Sequence, residues 1–106
     1  MITEITSADQ FRQVITQDAI SIVDYHAPWC GPSKAILPMF AQLSELYNRI
    51  NFYKVDVDEH AQLTQEAGAR VYPTFIIYRG GAKVQTISGA NPEGLTTLIK
   101  SAVRQA

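Results

Sequence analysis

Residues 20–35 read ISIVDYHAPWCGPSKA, a run that begins as a strand and ends as a helix. Its first seven residues are rich in β-branched and aromatic side chains, and Asp24 interrupts them. A strand apolar on both faces is a central strand with helices above and below, which points to an α/β sheet. From Ser33 to about Arg49 the period changes. Ile36, Leu37, Phe40, Leu43, Leu46 and Tyr47 line one broad helical face. Pro38 lies inside that helix and removes a backbone donor, so a kink is predicted there. Between strand and helix stands Cys30, the one cysteine of the chain.

The same reading extends outward. Residues 2–5 form a short strand, and Ser7 with Gln10 makes a capping box for a helix over 8–16. INFYKVDV, residues 50–57, is a further strand. Asp58 caps a helix over 59–67 that Gly68 closes. Strands follow at 74–79 and 82–88, joined by the two-residue turn Gly80-Gly81. Asn91 and Pro92 open a last helix whose inner stripe is Leu95, Leu98, Ile99, Ala102 and Val103. The order is β-α-β-α-β-α-β-β-α. It predicts a parallel first half and an antiparallel pair at the glycine hairpin.

With 106 residues and 46% hydrophobic content, 1–106 reads as a single domain around one core. The net charge is −1 and no Lys/Arg run occurs, which argues against nucleic acid and anionic membranes as partners. One cysteine cannot make an internal disulfide, and no secretory signal or bilayer-length apolar run is visible. A cytoplasmic protein is therefore expected. Cys30, His26 and His60 lack zinc-ligand spacing, and Asp56 and Asp58 read as strand exit and helix cap, so no metal is expected.

Cys30 sits where a central strand gives way to a helix, a favoured place for chemistry. Unpaired N–H groups and the positive end of the helix dipole stabilise an anion there. The thiolate is the nucleophile, so the position predicts a reactive sulfur rather than a buried one. Gly31 allows a tight backbone, Pro32 needs no donor and pre-sets the first turn, and Lys34 adds positive charge.

Trp29-Cys30-Gly31-Pro32 followed by Lys34 resembles the thioredoxin active site, WCGPCK, with Ser33 in the place of the second cysteine. The resemblance covers essentially the whole chain. Asp24 matches the family's buried acid, Pro38 its helix proline, Tyr72-Pro73-Thr74 its cis-proline loop, and Gly89 its glycine beside the peptide-binding surface. It implies the thioredoxin fold: a central mixed five-stranded sheet flanked by four helices. It also implies protein-disulfide reduction by thiol–disulfide exchange. Cys30 would be the attacking thiol, Ser33 would occupy the resolving position, and Asp24 would move protons with Lys54 as its partner. Trp29, Tyr72, Pro73, Thr74, Gly89 and Ala90 would receive an extended target segment. No bound cofactor is implied, since electrons reach the family from an NADPH-dependent thioredoxin reductase. The implied partners are that reductase and disulfide-containing proteins.

A serine hydroxyl cannot resolve a mixed disulfide, so the first exchange is expected to proceed and the second to stall. Ser33 is expected to donate a hydrogen bond back to Cys30. Because the rest of the dithiol apparatus is in place, Ser33 reads as an engineered Cys-to-Ser change. The chain is expected to be a monomer that can form a Cys30–Cys30 dimer on oxidation. Asp24, on an apolar strand, is expected to have a raised pKa and, with no thiol at 33 to serve, to destabilise the fold at neutral pH. His26, where the family commonly has an aromatic residue, reads as packing at the strand end, and His60 as a surface residue. Two alternatives remain: a natural monothiol protein acting on glutathione adducts, and a non-catalytic peptide-binding module.

Overall fold

The computed structural model describes all 106 residues. Nine elements follow in chain order: β1 (Ile2–Glu4), α1 (Ala8–Ile15), β2 (Ser21–His26), α2 (Gly31–Leu46), β3 (Asn51–Asp56), α3 (Ala61–Ala67), β4 (Thr74–Arg79), β5 (Ala82–Ser88) and α4 (Pro92–Arg104). The five strands form one mixed sheet in the order β1-β3-β2-β4-β5. β3 runs parallel to β1 and β2, while β4 runs antiparallel to both β2 and β5.

β2 is buried at every position, as its two-sided apolar pattern predicts. Alternation along the strand sends its side chains to opposite faces. Val23 and Tyr25 join Phe11, Val55, Leu63 and Ile76 beneath α1 and α3. Ile22 joins Phe52, Phe75 and Ile77, covered by Ile36 and Phe40 of α2 and by Leu95 and Ile99 of α4. Each fully buried Leu, Ile or Phe contributes roughly 1.5–3 kcal/mol, so these two layers are what fix the strand beneath Cys30.

The local signals act as read. Ser7 Oγ accepts from Gln10 N at 3.1 Å, and the Gln10 side chain reaches back to Thr6 N. Gly80 and Gly81 have φ of 59° and 84°, values that side chains disfavour but a tight hairpin requires. Asn91 caps α4 by accepting from Gly94 N. Strand ends and the end of α1 shift by single residues, and the larger differences are in α2 and α3. α2 starts at Gly31, two residues earlier than expected, and ends at Leu46 rather than Arg49. It runs unbroken through Pro38. α3 starts at Ala61 with His60 as its cap, so Asp58 is not the helix cap. The carboxylate of Asp56 instead holds the amides of Asp58 and Glu59 at 2.9 and 3.2 Å, and these bonds fill the turn that the expected helix would have occupied.

Candidate active site

The β2–α2 junction places Cys30 at the N-cap of α2, half-exposed, with its carbonyl accepting from Lys34 N at 3.0 Å. Gly31 and Pro32 form the first turn, and nothing crowds Gly31. Cys30 Sγ lies 3.5 Å from the carbonyl oxygen of Tyr72. The Tyr72–Pro73 peptide bond is cis, as expected, and the loop faces the sulfur. Thr74 Oγ1 donates to Val71 O within that loop. Gly89, with φ of 91°, donates its N–H to Pro73 O at 2.8 Å, and exposed Ala90 continues the rim. Tyr72 thus lies against Cys30, Trp29 against Tyr72, and Gly89 against Pro73, while Pro73 and Thr74 are themselves buried.

Trp29 is 67% exposed, and its ring meets Tyr72 edge-on at 6.3 Å. Its indole N–H donates to Asp58 Oδ2 at 2.7 Å. Sequence reasoning missed this role of Asp58, because the two residues are 29 apart and only β3's exit brings them together. Trp29, Asp58, Arg70 and Tyr72 border a cleft of about 530 Å³ against α3. Val71, 55% exposed, adds apolar surface to the same loop. Asp58→Ala is expected to free the indole. Losing one net hydrogen bond should slow capture of a disulfide by Cys30 roughly two- to tenfold. Stopped-flow Trp fluorescence reads both effects, and an unchanged rate with an unchanged emission spectrum would remove Asp58 from the site.

Ser33 is fully buried. Its Oγ accepts from Ala27 N at 3.1 Å, and the expected bond from Ser33 to Cys30 is not made; Cys30 Sγ instead meets Tyr72 O. The amide of Ala27 takes the hydroxyl because α2's first turn tucks Ser33 against the end of β2.

Asp24 is also fully buried, beside Lys54 on β3 and Phe75 on β4. Burial pushes its carboxyl up to about 7, against the opposing pull of the Lys54 charge. Neither carboxyl oxygen has a protein hydrogen-bond partner. Lys54 acts on Asp24 through its field alone, since its ammonium lies 3.8 Å from Glu4 Oε1. His26, 8% exposed, packs at the strand end as expected, and burial lowers its pKa. His60 is half-buried rather than fully exposed, with Nε2 3.1 Å from Ile5 O. No three His, Cys, Asp or Glu side chains are grouped to hold a metal, and no helix is long and apolar enough to cross a membrane.

A family profile described as Thioredoxin matches residues 2–101. Thioredoxin-1 of Schizosaccharomyces pombe is 41% identical over 101 residues, spanning 95% of this chain and 98% of that protein. The crystal structure of Malassezia sympodialis thioredoxin superposes with a TM-score of 0.93 at 41% identity, covering 96% of this chain and 93% of that one. A cysteine-to-serine mutant of Entamoeba histolytica thioredoxin superposes with a TM-score of 0.87 at 32% identity, covering 95% and 99%.

Proposed function

This chain belongs to the thioredoxin family of protein-disulfide oxidoreductases, and on that premise we propose that it captures target disulfides at Cys30 and holds them as mixed disulfides. The observation that carries this reading is the pairing of a half-exposed Cys30 with a fully buried Ser33 one helical turn on. The Cys30 thiolate attacks one sulfur of a target disulfide. The Cys30–S bond forms, the target S–S bond breaks, and the second target sulfur leaves as a thiolate. Ser33 offers no second thiol, so the covalent complex persists until an outside thiol reaches it. The target lies extended along Pro73 and Thr74, between Trp29 and Tyr72 on one side and Gly89 and Ala90 on the other.

In the dithiol parent, Asp24 serves as acid and base for the second thiol, with Lys54 tuning its charge. Electrons there come from an NADPH-dependent thioredoxin reductase, and no cofactor is held by this chain. The reductase and disulfide-containing proteins are its partners. The unit 1–106 works as a cytoplasmic monomer, and Ser33 is an engineered replacement of cysteine. Support for that origin comes from Asp24, a buried carboxyl retained although Ser33 offers no thiol for it to serve.

The test is direct. Incubation with a disulfide-bonded protein should give a 1:1 adduct by mass spectrometry, released by dithiothreitol and absent from Cys30→Ser. Equal retention of partners by Cys30→Ser under reducing conditions would make the site a peptide-binding module instead.

A further inference from the structure

Three buried polar atoms on the α2 side of the sheet lack a protein partner: Oδ1 and Oδ2 of Asp24, and Nε2 of His26. Both residues point to the same face because they lie two apart on β2. That spacing is about 6.6 Å between Cα atoms, and the carboxyl and the ring make no direct hydrogen bond. A single water between them would give both groups the hydrogen-bond partner that the protein does not supply. The other ring nitrogen of His26, Nδ1, is not among the buried unpaired atoms and keeps solvent contact. His26 therefore has one nitrogen inside and one at the surface, beside a carboxyl with no surface of its own.

The surrounding charges hold both groups in one field. Lys54 attracts the Asp24 carboxylate and repels a protonated His26. Asp56 and Glu4 act on His26 in the opposite sense. The buried side chains of α2 facing them (Ser33, Ile36 and Phe40) carry no charge, and β4 contributes Phe75.

We propose that one internal water links Asp24 to His26 Nε2, and that His26 is the positioning residue through which the buried carboxyl exchanges its proton with solvent. Asp24 gives its proton through the water to Nε2 while Nδ1 releases its own to bulk. The carboxyl is left negative, the ring changes tautomer and the solvent gains one proton. The path stands on this chain's own residues. Its consequence for turnover rests on the role of Asp24 given above, and the test below does not depend on that role.

The experiment is an NMR titration of the intact chain, carboxyl-labelled at Asp and nitrogen-labelled at His, with His26→Phe and His26→Gln. In the unmodified chain the Asp24 carboxyl and the His26 nitrogens should follow one common titration, with the carboxyl in fast exchange. His26→Phe removes the water's second anchor, so the Asp24 midpoint should rise by about one pH unit. His26→Gln keeps an anchor but cannot pass a proton, so its midpoint should stay near that of the unmodified chain. Proton exchange at the midpoint should slow roughly tenfold or more in both variants. Fast exchange retained in His26→Phe overturns the proposal, even if the midpoint moves. So does a His26 ring that titrates independently of Asp24. Amide spectra matching the unmodified chain establish that both variants are folded.

Discussion

Ser33→Cys is expected to convert single capture into rapid turnover. In insulin reduction with dithiothreitol the variant should exceed this chain by roughly 10²- to 10³-fold, because an intramolecular thiol acts at an effective concentration far above millimolar reductant. The geometry favours the change. Ser33 lies one turn after Cys30 in the first turn of α2, and sulfur replaces oxygen with little added volume. Ala27 N already points at the side chain from 3.1 Å and can support a sulfur anion there. The acid–base role proposed for Asp24 would then have a thiol to serve. Electrons balance: the introduced thiol attacks Cys30 Sγ and the reduced target leaves. The variant ends with a disulfide between Cys30 and the new sulfur at position 33, which dithiothreitol reduces. If the chain turns over briskly as it stands, or the variant gains nothing, the site works with one thiol and the trapping reading fails.

The parts of this molecule that are legible in the sequence are those encoded locally. ISIVDYH reads as a two-sided buried strand because every position must meet a core layer, and β2 is buried throughout. Gly80-Gly81 reads as a hairpin because few other pairs tolerate φ of 59° and 84°. Cys30, Ser33 and Pro73 are legible through a resemblance that spans the chain. The contacts that escape are between distant residues. Asp58 looks like a helix cap in its own segment, yet its carboxylate serves an indole 29 residues away. His60 looks like a surface residue, yet its ring reaches Ile5 across 55 residues. Lys54 reads as the partner of Asp24, but Glu4 on the neighbouring edge strand competes for the ammonium. A side chain's own segment says what it can bond, and the sheet order decides which group it meets.

That distinction matters most for Asp24, where burial outweighs the attraction of Lys54. In the unfolded chain the carboxyl ionises near 3.8, and in the folded chain only near 7. Below the lower value both states hold the proton, and the group is neutral in its effect. Between the two values the unfolded chain ionises while the folded chain does not, so stability falls as pH rises. Above about 7 both states are ionised and the loss is complete. The gap corresponds to roughly 4 kcal/mol. Asp24→Asn cannot ionise and escapes this loss, although its amide remains poorly partnered at a cost of about 1–3 kcal/mol. The variant is thus expected to gain roughly 1–3 kcal/mol at pH 8. At pH 4 the gain should vanish or reverse. Urea unfolding at both values measures it, with the slope of the transition checking that the denatured states match. A variant less stable than this chain at pH 8 would mean that the ionised carboxylate is better solvated in the fold than its burial implies. The internal water and Lys54 would then be its counterweight, and Asp24 would be a supported charge rather than a relic of the second thiol.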